Sequence, residues 1–441
     1  MKIKEILSVA FLVIALSAFT QGNIEDSIAS DLIDLGLVDN NNENFEHYES
    51  LKLLLKDIEI VMLGEASHGD GTTYETKIKL IKYLHKEMGF DLLVFEGGFY
   101  DCQKAWNQIK AGEDVRVSLA RSITFLWSTT KDFKPLVNYI DENKNSANPL
   151  IISGFDNQWT GKTSAKFYLE DLKKFLNKTN QELMKSEDWT HLETSLQYLS
   201  EWKYKELKKD KSTKDTVCIN TLINSIASVK KDSLSLFWRA NLKSTKSYII
   251  DSKYKKDLRD KQMADNLIRL KEQHPNKKII CWGATSHFLF NSTEIKLKGF
   301  PFNIIDNYYE KLPMMGHYIK QKYGSKVYTI GFTTFEGEAK LLGKRKIKVP
   351  KENSIEHVIG KSDYENCLLP LQGYNLSNYL SRPLSYVYMK NDIANVMDAI
   401  IFNRNMKRPK WDRNFFLEIY PENKWIKPEI IEDESIEKTN K

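Results

Sequence analysis

The sequence predicts an α/β protein, a parallel-sheet three-layer core with an inserted, mainly helical subdomain. Three observations lead there. Short apolar runs recur along the chain and stop abruptly at glycine, an acid or a histidine, as expected of strands buried on both faces with polar residues only at their ends. An amphipathic stretch of helical period separates the first two runs, the pattern of a βαβ unit. From residue 161 to about 274 the pattern changes to charged segments of helical period. A chain of 441 residues also exceeds one ordinary core. The expected organisation is a signal peptide at 1–21, a core at 22–160 and 275–407, a helical insertion at 161–274 and a tail at 408–441.

Each element has its own signal. MKIKEILSVAFLVIALSAFTQ sets Lys2 and Lys4 ahead of an apolar run shorter than the ~20 residues of a spanning helix, which predicts a secretory signal peptide. The expected location is periplasmic or secreted, with no stable membrane anchor after cleavage. IEIVMLG (58–64) is the first strand, and TYETKIKLIKYLHKEMG follows with Tyr74, Ile78, Ile81, Leu84 and Met88 at helical spacing and Gly89 as the stop. FDLLVFEGG is the second strand and ends at Glu96. NPLIISGFDNQ ends its run at Asp156, KKIICWGATSHF at His287, and KVYTIGFTTFEGE at threonines and Glu336. NVMDAIIFN is a further strand with neither acid nor base at its tip.

Composition removes several classes of function. The net charge of +6 is mild, and the densest basic run, WKYKELKKDKSTKD, is interleaved with acids, so nucleic acid is not an expected partner. Four cysteines without paired spacing give neither a disulfide framework nor a zinc ribbon. Gly64, Gly69 and Gly71 suggest a phosphate cradle, but Asp70 stands where such a loop would need a cation.

In open α/β sheets ligands bind beyond the carboxyl ends of the strands, and Glu65, His68, Glu96, Asp156 and His287 would gather on that edge. IVMLGEASH and IICWGATSH are near copies, which predicts two histidines facing each other across a cleft. One chemistry is hydrolysis without a cofactor. His68, with an ordinary pKa of about 6.5, takes a proton from water while Glu96 orients its ring and Glu65 holds the water. A metal-dependent hydrolase on the same residues is the alternative, although no HExxH helix is present. A non-catalytic periplasmic ligand-binding protein is another. No nucleophile elbow of the G-x-S-x-G type occurs. His85 and His317 read as ordinary surface residues.

The stretch from Asn42 through Phe99, with LGEASHG at its centre, resembles the opening of the erythromycin esterase family. The likeness continues in order through ISGFDNQ, RDKQMADNLIRL, IICWGATSHF and MGHYIKQKYGSKVYTIGFTTFEGE, most of the chain after the signal. This resemblance implies a hydrolase that opens a small-molecule ester or lactone, macrolides and hence antibiotic resistance among the possibilities, with no required metal or cofactor. It implies catalytic roles for Glu65, His68, Glu96 and His287; from their own residue types and places in the sequence, Lys77, Asp156 and Trp127 are candidates for substrate binding. Two positions depart from the family pattern. Lys77 replaces an arginine, keeping the charge and losing the bidentate fork, and Ala284 replaces the first histidine of the later strand.

Overall fold

The computed structural model describes residues 24–229, 232–297, 312–339 and 345–422. The expected signal peptide at 1–21 and the tail beyond 422 lie outside the described residues. Eleven strands are present among the described residues: β1 (Ile33–Asp34), β2 (Ile60–Glu65), β3 (Leu92–Gly98), β4 (Ile151–Asp156), β5 (Ile279–Ala284), β6 (Val327–Ala339), β7 (Arg345–Ile347), β8 (Asn366–Pro370), β9 (Ser381–Leu384), β10 (Val387–Met389) and β11 (Ala399–Met406). The main sheet has the order β1-β8-β11-β6-β2-β5-β3-β4, with β7 added antiparallel to β6. From β11 to β4 every neighbouring pair is parallel, and β8 and β1 close one edge antiparallel. The mostly parallel three-layer α/β core is as the strand pattern predicts.

The first two apolar runs are not neighbours, because β5, which arrives some 200 residues later in the sequence, pairs with both β2 and β3. The crossover helix α1 (Gly71–Met88) buries Tyr74, Ile78, Ile81 and Leu84 against Val61, Leu63, Leu93 and Phe95 on one sheet face. It stops at Gly89, whose φ of 70° is the left-handed cap that a side chain resists. Helix α2 (Phe99–Lys110) follows β3. Helices α3 (Lys162–Thr179), α4 (Glu187–Ser200), α5 (Lys214–Val229) and α6 (Ser233–Tyr254) pack around Tyr168, Leu172, Trp189, Leu196, Leu222 and Trp238. The next helix, α7 (Arg259–Gln273), turns its apolar stripe of Met263, Ala264, Leu267 and Leu270 onto Ile60, Met62, Leu92 and Val94 of the other sheet face. That contact delivers the start of α7 to the carboxyl edge of the sheet.

Two expectations change. β6 runs past its threonines to Ala339, so Glu336 lies within the strand rather than at its tip. His85 is buried, not on the surface, with Nδ1 at 2.6 Å from Tyr139 Oη and Nε2 at 3.0 Å from the Asn148 carbonyl. All four cysteines are buried and reduced.

Candidate active site

β2 and β5 lie side by side with Gly64 opposite Gly283 and Glu65 opposite Ala284. The two near-copied sequences are therefore adjacent strands in matching register. Glycine is needed in both because a Cβ on Gly64 would stand 2.7 Å from Thr285 Cα, and one on Gly283 would stand 2.9 Å from Phe288 Cζ and 3.0 Å from Glu96 Oε2. After β2 the chain turns through Ala66–Asp70 into α1. After β5 it enters the single turn α8 (Thr285–Phe288), which carries His287.

The first histidine is held by a buried carboxylate. His68 Nδ1 lies 2.7 Å from Glu65 Oε1, which also accepts from Trp127 Nε1 at 2.8 Å. Glu65 Oε2 accepts from the Lys77 ammonium, which also donates to the Gly283 carbonyl at 3.2 Å. Glu65, Lys77 and Trp127 are fully buried, while the His68 side chain keeps 28% of its surface open. His68 Nε2 has no hydrogen-bond partner among the described residues. Burial by itself would depress the imidazole pKa, but the hydrogen bond to Glu65 and the charge of Glu96 outweigh it and raise His68 above the ordinary histidine value. Burial lowers Lys77, and Glu65 opposes that fall.

The second histidine sits in a denser network. His287 Nδ1 lies 2.8 Å from Asp260 Oδ1, and Nε2 lies 3.3 Å from Glu96 Oε1 and 3.4 Å from Arg259 Nη1. Arg259 grips Asp156 with two bonds, Nε to Oδ1 at 3.0 Å and Nη2 to Oδ2 at 2.7 Å, and Nη2 also reaches Glu96 Oε1 at 3.0 Å. The other Glu96 oxygen accepts the Ala284 amide at 2.9 Å. Burial disfavours the His287 cation, yet Asp260 and Glu96 push its pKa up to about 10, so it is an imidazolium at neutral pH. Burial likewise opposes ionisation of Glu96, but His287, His68 and Arg259 hold it well below the usual carboxylate range.

Several roles expected from sequence are exchanged. Glu65, not Glu96, orients His68, and with no exposed surface Glu65 is not placed to hold a water. Glu96 instead anchors Arg259 and His287. Lys77 and Trp127 stand behind Glu65 rather than on an open wall, and Asp156 is equally buried beneath Arg259 while also accepting the Gln158 amide at 3.2 Å. Arg259 and Asp260 were not singled out by the sequence reading. Their signal was an Arg-Asp pair at the opening of a helix. Among the described residues no three His, Cys, Asp or Glu side chains form a group that could hold a metal ion. The carboxylates present are matched by Lys77, Arg259 and His287.

The carboxyl edge of the parallel sheet thus presents two carboxylate-held histidines and an arginine clamped by Asp156. The erythromycin esterase family model matches residues 85–405, and the chain belongs to that family. The match opens within α1, so Glu65 and His68 precede it, whereas Glu96, Asp156, Arg259 and His287 lie inside it. The chain is 28% identical over 333 residues to YbfO of Bacillus subtilis (strain 168), whose name assigns it provisionally to the hydrolases; the match covers 68% of this chain and 70% of that one. It is 20% identical over 410 residues to the erythromycin esterase type II of Escherichia coli, covering 81% and 92%. Among solved structures it resembles a succinoglycan biosynthesis protein, with a TM-score of 0.70 at 18% identity over 88% of this chain and 98% of the other. It also resembles a mutant of the erythromycin esterase EreC in its open conformation, with a TM-score of 0.63 at 16% identity over 85% and 98%. The chain is a hydrolase of the erythromycin esterase type.

Proposed function

We propose that the protein hydrolyses a carboxylic ester or lactone by general-base activation of water at His68. The observation that carries this reading is the Trp127–Glu65–His68 chain: Glu65, fixed by Trp127 and Lys77, accepts from Nδ1 and leaves Nε2 as the acceptor on the open side. A neutral imidazole fixed in that tautomer takes a proton from water as the water oxygen bonds to the acyl carbon. The carbonyl electrons move to its oxygen, where the cationic Arg259 and His287 offset the developing charge. As the intermediate collapses, the C–O bond to the leaving alcohol breaks. The proton returns from Nε2 to that alkoxide, giving an acid and an alcohol, or one hydroxy acid from a lactone.

The test is turnover of p-nitrophenyl acetate and of a 14-membered macrolide by wild-type protein and by His68→Asn. Hydrolysis of either substrate, abolished in the variant, supports the reading. Wild-type protein inert on both, with tight retention of the unhydrolysed macrolide, would favour a binding protein instead. We also propose export, on the strength of residues 1–21, with N-terminal sequencing of protein from periplasm and medium as its test.

A further inference from the structure

We infer that Tyr386 and Asp70 form a positioning pair that holds the His68 loop in its working geometry, an inference that rests on the reading of His68 as the base. Residues 66–70 are pinned from several sides. Asp70 Oδ2 accepts the Ser67 amide at 2.9 Å, and the His68 carbonyl accepts the Tyr74 hydroxyl. The Ala66 carbonyl accepts the Ser385 amide at 2.9 Å, from the two-residue turn of the β9–β10 hairpin.

That turn is strained. Ser385 and Tyr386 have φ of 47° and 58°, a region that favours glycine, and such backbone persists where its surroundings over-determine it. The result is a buried Tyr386 ring whose hydroxyl faces a fully buried Asp70. Tyr386 Oη and Asp70 Oδ1 each lack a well-aligned partner among the described residues, so each is the group available to satisfy the other. Glu65 from β2, Tyr74 and Lys77 from α1 and Tyr386 from the hairpin face Asp70, while Arg382 and Arg345 face Tyr386. Burial pushes Asp70 up to about 7, and the Tyr386 hydroxyl opposes that rise. Asp70 thus changes charge in the range where His68 works, and its protonation removes an acceptor from the loop.

Tyr386→Phe and the isosteric Asp70→Asn test the pair, with thermal melting to establish that each variant is folded. On p-nitrophenyl acetate, kcat is expected to fall about tenfold or more through misplacement of the base, with KM little changed. In Tyr386→Phe the acid limb of the rate should move to higher pH, because loss of the hydroxyl lets the Asp70 pKa rise further. In Asp70→Asn that limb should reduce to the ionisation of His68 alone. Imidazole ¹⁵N NMR, which needs no turnover, should show a displaced His68 titration in both variants. An unchanged His68 titration in folded Tyr386→Phe and Asp70→Asn overturns the pair. Normal turnover by His68→Asn overturns the base reading instead, and the NMR result still decides the pair.

Discussion

At the scale of single residues, the two histidines differ in the groups that hold them. His68 shares one carboxylate with Lys77 and Trp127, whereas His287 lies between Asp260 and Glu96. His68→Asn should keep the fold, since its side chain is partly open, and lower kcat by about 10²- to 10⁴-fold. The wild-type rate should fall on the acid side at a pH above the ordinary histidine value, as the raised His68 pKa requires. His287 contributes to stability in the other direction along the pH scale. With a folded pKa raised to about 10, its contribution is complete below the unfolded value of about 6.5 and is lost as pH rises through about 10. Urea unfolding at pH 6 and pH 10 should therefore differ by a few kcal/mol (~1.4 kcal/mol per pKa unit), and His287→Gln should flatten the difference. Lys77→Arg would restore the family's residue, but the ammonium sits 4.8 Å from the Trp282 ring and 5.7 Å from that of Phe332 in a closed space. The larger guanidinium should cost about 1–3 kcal/mol by overpacking, read as a lower urea midpoint.

At the scale of elements, the site depends on how closely β2 and β5 turn toward each other at their carboxyl ends. Gly64 and Gly283 face one another across the pair, and each leaves room for a neighbour that a methyl group would displace. Gly64→Ala brings its Cβ against the backbone of Thr285, so the turn carrying His287 has to shift. A loss of about 1–3 kcal/mol is expected, with a larger fractional loss of kcat than of stability-corrected expression. A structure of Gly64→Ala with α8 unmoved would contradict this account. The start of α7 is the other decisive element. Its apolar stripe fixes it to the sheet and aims Arg259 and Asp260 at the strand tips contributed by β3, β4 and β5.

At the scale of the whole molecule, the carboxylates at the sheet edge are answered by cations belonging to the protein itself. If water is activated by His68, dialysis against EDTA should leave ester hydrolysis essentially unchanged; activity lost on chelation and restored by zinc or manganese would establish metal-assisted chemistry instead. No helix among the described residues is long and apolar enough to cross a membrane. The helices α3 to α6 have an apolar centre of their own, which explains why their sequence is patterned independently of the strands.

The sequence by itself determined the layered α/β architecture, because strands buried on both faces must be apolar and can carry charge only where they end. It determined that Glu65, His68, Glu96, Asp156 and His287 belong to one sheet edge for the same reason. Only the tertiary structure decided which carboxylate serves which histidine. That choice depends on β5 inserting between β2 and β3 and on α7 arriving from outside the strand pattern, and neither is encoded in local spacing. Lys77 shows the limit most clearly. On an amphipathic helix a lysine reads as solvated, and it is buried here because Glu65, brought to it by the sheet, neutralises the charge that burial would otherwise forbid.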